Sequence, residues 1–196
     1  MIAEAIRRSP LAQYADRFGA LAETSQGDLI IRELPFLSEI NFRADPNDAN
    51  LMQRLMSGLV GLALPLVPNT ATSRRDHRAL WLGPDEWLMV GPEGKQDAIQ
   101  EALRVGLAGA FGSIVDVSAN RTTLEIRGSK AHEALAHGVP IDLDARSFGP
   151  ACCAQTLLAK AQVIIERISE DPAFHLYVRS SLASYVADWI LDAALE

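Results

Sequence analysis

The chain reads as an α+β protein made of two similar halves, and three observations predict this. Runs rich in β-branched and aromatic residues are bounded by clusters of Gly, Pro, Asn and Asp, the signature of strands. Between them lie stretches with Leu or Ile at helical spacing. Finally, Trp87-Leu88-Met89-Val90 followed by a helix is echoed by Phe174-His175-Leu176-Tyr177-Val178 followed by a helix, as a duplication would produce. Strands in runs with helices on one face give antiparallel sheets. We place an N-terminal arm at 1–27, a first half at 28–111 and a second at 112–196. The junction Phe111-Gly112-Ser113 is too short and too apolar for a free linker, so the halves form one compact unit.

In order, the arm is polar and weakly periodic, with a short helical turn over Leu11 to Phe18, and much of it is expected to be loosely held unless a partner binds it. Leu29 to Ile31 and Leu37 to Phe42 read as strands, the second with imperfect alternation. Asp45-Pro46-Asn47-Asp48 ends that strand and can cap a helix carrying Leu51, Leu55, Leu59 and Leu62. Ala79 to Leu82 and Trp87 to Val90 form a hairpin around Gly83-Pro84-Asp85-Glu86. A helix with Ile99, Leu103 and Leu107 on one face follows. Ile114 to Val117 and Thr123 to Ile126 read as a second hairpin, and Ser129 as the cap of a helix through Leu135. Ala154 to Leu158, Val163 to Ile168 and Phe174 to Val178 are strands, and a helix with Leu182, Tyr185, Val186, Trp189 and Ile190 closes the chain.

At 196 residues, 48% apolar and 22% charged, the chain is long enough to bury a real core. A net charge of −7 argues against nucleic acid, whose binders need a clustered basic surface. No apolar run approaches membrane-spanning length, and no apolar core of a signal follows Arg7 and Arg8. Cys152 and Cys153 are adjacent, a poor geometry for a structural disulfide, so a reducing, cytoplasmic setting is expected.

No catalytic constellation emerges. His132 and His137 are five apart and fall on different helix faces, so they do not match metal-ligand spacing. Gly106, Gly109 and Gly112 sit at a helix end rather than in a dinucleotide loop, and no serine sits in a nucleophile elbow. Asp116 and Arg121 flank a tight turn, where they are either a turn-stabilising pair or ligand-reading groups. Trp81 and Trp87 lie nearly opposite each other across their turn. They are either hairpin packing or, with Pro84, Asp85 and Glu86, a partner-facing patch, since Trp is enriched at interface hot spots. Strand alternation turns Trp87 inward and leaves Trp81 and the loop nearer the surface.

The stretches Glu33-Leu34-Pro35-Phe36-Leu37-Ser38-Glu39-Ile40-Asn41-Phe42-Arg43 and Leu80-Trp81-Leu82-Gly83-Pro84-Asp85-Glu86-Trp87-Leu88 resemble the gamma subunit of heterotetrameric sarcosine oxidase. So do Val115-Asp116-Val117-Ser118 with Arg121, and Cys153-Ala154-Gln155-Thr156-Leu157-Leu158, and the resemblance spans nearly the whole chain. It implies two ferredoxin-like halves packed together, as in the aminomethyltransferase (glycine-cleavage T-protein) folate-binding fold. It also implies a non-catalytic subunit that supports the alpha subunit, with beta and delta as further partners. The assembly demethylates sarcosine to glycine, forming methylene-tetrahydrofolate and hydrogen peroxide. Its FAD, FMN, NAD and tetrahydrofolate are implied to sit on other subunits, with no cofactor in this chain. Active members of the superfamily carry acidic residues on a strand that aligns with Ala161 to Ile165, where this chain has Ile164 and Ile165. An isoleucine can neither orient a folate nitrogen nor stabilise a cation. The alternative is a folate-binding or one-carbon-transfer protein acting through Asp116, Arg121 and the central cavity.

Overall fold

The structure, a computed structural model, describes residues 7–59 and 61–195. Its ten strands are β1 (Ile30–Leu34), β2 (Ser38–Ala44), β3 (Ala71–Arg74), β4 (His77–Gly83), β5 (Glu86–Gly91), β6 (Gly112–Asp116), β7 (Arg121–Arg127), β8 (Cys153–Leu158), β9 (Ala161–Arg167) and β10 (Ala173–Arg179). Its five α-helices are α1 (Ala15–Thr24), α2 (Ala49–Gly58), α3 (Gln96–Leu107), α4 (Ala131–Ala136) and α5 (Ala183–Ala193). Two antiparallel sheets result, an N-sheet of order β3-β4-β5-β2-β6 and a C-sheet of order β1-β7-β10-β9-β8. The α+β class expected from the sequence is the observed one.

Replacing each strand of the N-sheet by the one five positions along, or five back, turns its order into that of the C-sheet. The registers agree too: Ser38 opposes Gly91 as Thr122 opposes Val178, and Phe42 opposes Trp87 as Ile126 opposes Phe174. The sequence echo between Trp87 and Phe174 is thus a structural equivalence. The sheets, however, do not follow the boundary at 111/112. β1 leaves the first half to pair with β7, and β6 leaves the second half to pair with β2. The expected hairpin of Ile114–Val117 with Thr123–Ile126 does not form, because its two strands lie in different sheets. The chain crosses over instead, with Val117 N donating to Glu39 O at 2.9 Å and Asn120 N to Val117 O at 2.9 Å.

Alternation along the strands builds four layers. Trp87, Met89, Ile40 and Phe42 point out to α2 and α3, joining Leu51, Leu55, Ile99 and Leu103 in one core. Leu124, Ile126, Ile165, Phe174 and Leu176 point the other way, to α1, α4 and α5. The opposite strand faces meet at Leu80, Leu88, Val90, Cys153, Ile164 and Tyr177. β5 is the middle strand of its sheet and is buried on both faces, which is why Trp87 to Val90 is uninterruptedly apolar.

Several local expectations change. From Leu11 onward the arm is packed rather than loosely held; its first six residues lie outside the described ones. Leu11, Tyr14 and Phe18 are buried in the C-sheet core, and the Tyr14 hydroxyl donates to Asp188 at 3.0 Å. Three apolar positions among polar neighbours are a weak periodic signal, and what they cover, Leu29 and Ile31 with the rest of the C-sheet core, is set by the tertiary fold. Asp48 caps α2, accepting from Leu51 N at 3.0 Å, whereas the helix ends at Gly58 and Leu62 packs beyond it. Ser129 does not cap α4; its hydroxyl donates to Asp28 at 2.7 Å and the helix starts at Ala131. Gly128 sits at φ +115°, where a Cβ would meet Asp28 O at 2.2 Å, so only glycine fits this turn. β3 carried no sequence signal, being a short polar edge strand.

Candidate functional site

The tryptophan hairpin is asymmetric. Trp81 and Trp87 are direct cross-strand partners. Trp87 is fully buried, donates its indole N–H to Pro65 O at 2.7 Å and stacks on Phe42 with centroids 5.9 Å apart. Trp81 is half-buried, and Pro84 and Asp85 are exposed. The turn is braced from β2. Glu86 accepts from Asn41 Nδ2 at 2.7 Å and from Arg43, and Ala44 N donates to Asp85 O at 3.2 Å.

Asp116 and Arg121 are not a pair. Asp116 ends β6 and accepts from Ser118 N at 2.9 Å and Ser118 Oγ at 2.6 Å, closing a local turn. Arg121 opens β7 and lies 3.5 Å from Glu39. Two recesses of about 420 Å³ and 250 Å³ open where the inter-sheet layer meets the ends of β7 and β10, and Arg121 and Arg179 line both.

Sequence reasoning missed the polar groups sandwiched between the sheets. Glu166 is 1% exposed, accepts from Arg78 at 2.7 Å and from the Tyr177 hydroxyl at 2.9 Å, and is held above its ordinary range by burial, which Arg78 only partly opposes. Tyr177 is raised well above the usual phenol range by the same burial and by the Glu166 charge. His175, 3.5 Å from Glu125 and 3.8 Å from Glu166, is pushed down to about 4 by burial and by Arg78. Glu39, 1% exposed, is pushed up to about 7 by burial, against the pull of Arg121. Cys153 is buried, its thiol 3.2 Å from Thr70 O, and burial with the Glu166 charge pushes it up to about 12. Such a thiol is not a nucleophile near neutral pH. The signals were there: Glu39 interrupts the alternation of Leu37 to Phe42, and His175 sits inside an apolar strand.

At positions 164 and 165, where the resemblance implies acidic residues in active members, the structure places two packed isoleucines. Ile164 lies in the inter-sheet cluster and Ile165 in the C-sheet core, so neither supplies a carboxylate, and the nearby carboxylates Glu166, Glu39 and Glu125 are tied to Arg78, to Arg121 and to Arg32 with Arg127.

Four layers with exchanged first strands define an α+β protein with an aminomethyltransferase-like fold. The chain superposes on the glycine cleavage system aminomethyltransferase T of Bartonella henselae with a TM-score of 0.64 at 13% identity, over 95% of this chain and 57% of that one. This likeness speaks to fold alone. The family model for the sarcosine oxidase gamma subunit family matches residues 43–196. The gamma subunit of sarcosine oxidase from Arthrobacter sp is 33% identical over 97% of this chain and 91% of its own length. A chain in the heterotetrameric sarcosine oxidase from Corynebacterium sp. U-96, solved with pyrrole 2-carboxylate, superposes with a TM-score of 0.85 at 30% identity, over 97% of this chain and 96% of that one. The chain belongs to the sarcosine oxidase gamma subunit family.

Proposed function

We propose that this chain is the gamma subunit of a heterotetrameric sarcosine oxidase, serving assembly and structural support rather than carrying out the chemistry. The observation that carries this reading is the end-to-end match to a chain of such a heterotetramer, at a TM-score of 0.85 over 97% of this chain. The site chemistry agrees with it. The buried carboxylates Glu39 and Glu166 face arginines, and the buried thiol is held protonated. In this reading the alpha subunit makes the direct contact, beta and delta complete the assembly, and the flavins, NAD and tetrahydrofolate are held by those other chains. The hairpin of Trp81, Pro84, Asp85 and Glu86 is our candidate contact, because a half-buried tryptophan beside an exposed loop suits a hot spot.

The test is co-expression of the tagged chain with the alpha, beta and delta subunits from the same source. A flavin-coloured four-subunit complex that oxidises sarcosine is expected to co-purify. Recovery of the tagged chain alone would overturn the proposal. So would stoichiometric tetrahydrofolate binding with one-carbon transfer by the isolated chain.

A further inference from the structure

We propose that Arg121 and Arg179 form a binding site for a small dicarboxylic acid, each guanidinium holding one carboxylate. The two residues are direct partners across β7 and β10, so their side chains leave the same face of the C-sheet side by side. Like charges placed directly opposite on neighbouring strands repel, and a sheet gains nothing from the arrangement by itself. It makes sense where an anion completes it.

The surroundings point the same way. Although the chain carries a net charge of −7, among the described residues the only charged side chains lining the two recesses are these arginines. Asn41 and Asn120 flank them on one side, Gln155 and Gln162 on the other. Asn41 Nδ2 and Gln155 Nε2 are engaged by Glu86 and Leu82 O, which leaves Asn120 and Gln162 as neutral partners for a ligand. Among the described residues Arg179 forms no ion pair, and Arg121 faces only Glu39, at 3.5 Å. Burial lifts Glu39 to about 7, so that carboxyl neutralises Arg121 incompletely around neutral pH.

A guanidinium presents a planar fork that matches a carboxylate bidentately. Two forks set one strand spacing apart, about 5 Å between backbones, match two carboxylates joined by a short chain. The recess volumes of about 420 Å³ and 250 Å³ admit a four- or five-carbon diacid. The site is a property of this chain's own residues and stands whether or not the assembly reading holds.

The probe is glutarate, titrated into the full chain and followed by calorimetry and by the arginine Nε–H resonances. Saturable binding is expected, with the Arg121 and Arg179 resonances moving together. Arg179→Gln, an exposed position, is expected to leave the melting temperature unchanged and weaken binding at least tenfold. Arg179→Lys, which keeps the charge and loses the fork, should weaken it by less. Arg146→Gln, which alters an exposed arginine paired with Asp144, should change nothing. Inorganic phosphate should bind at least tenfold more weakly than glutarate. A response that never saturates, equal weakening by Arg146→Gln, or equal affinity for phosphate would each overturn the site.

Discussion

Glu39 shows how much a single buried carboxyl can govern. Burial raises it from 4.5 to about 7, with Arg121 opposing. A folded-state value above the unfolded one means that the native protein binds this proton more tightly. The corresponding stability is fully present below pH 4.5 and is lost as pH rises through about 7. At roughly 1.4 kcal/mol per unit the loss amounts to about 3 kcal/mol. His175 has the opposite sign: lowered from 6.5 to about 4, it contributes stability above pH 6.5 that is lost as pH falls towards 4. The two slopes oppose each other, so the wild-type profile hides both. Glu39→Gln separates them. Its stability relative to wild type, measured by urea melts, is expected to rise by up to about 3 kcal/mol between pH 4.5 and 8. A difference that stays flat would mean that Arg121 fully compensates the buried charge. Trp87 and Trp81 make a second contrast. Trp87→Ala empties a fully buried site and is expected to cost about 3–5 kcal/mol. Trp81→Ala, at a half-buried position, should cost less stability and instead reduce co-purification with the alpha subunit. Equal melts with intact assembly would return the hairpin to plain packing.

At the level of elements, the exchanged strands decide what can fold alone. The second half, 112–196, lacks β1, which pairs along β7, and lacks Leu11, Tyr14, Phe18, Leu29 and Ile31 of its own core. A fragment of those residues is expected to show no cooperative urea transition by circular dichroism. A cooperative fragment would show that β1 is dispensable to the C-sheet. The same exchange marks the limit of what the sequence discloses. β5 was legible because Trp87 and Met89 must face one way and Leu88 and Val90 the other, and both sets are apolar. The crossing of β6 was not legible, since Ser118 to Asn120 carry the turn chemistry of a hairpin and strand partners are chosen by long-range packing. For the site, Arg121 stood out from its turn, whereas its neighbour Glu39 read only as a lapse in alternation. A charge placed between two sheets takes its meaning from the second sheet, which no local pattern contains. Arg179 was missed for the same reason, because its pairing with Arg121 exists only in the register of β10 on β7.

Across the whole molecule, the two sheets are locked by groups from both repeats: Arg78 of the N-sheet holds Glu166 of the C-sheet, and Arg121 of the C-sheet meets Glu39 of the N-sheet. Removing either arginine leaves a carboxyl group buried between the layers without its partner, which costs far more than losing an exposed ion pair. This joint fixes the two sheets relative to each other, with the hairpin loop on one sheet and the paired arginines on the other. It also orders events on the ribosome. β1 leaves the exit tunnel long before β7, its partner, has been made: Leu34 pairs with Thr123 and Ile30 with Arg127. At about 5–20 residues per second, that strand waits roughly 5–20 s with its hydrogen-bonding edge unsatisfied. Its mate β2 is meanwhile engaged by β5, so the nascent first half carries an open strand edge that nothing yet synthesised pairs with. The time between those two strands is when this chain is most exposed to pairing with a stranger.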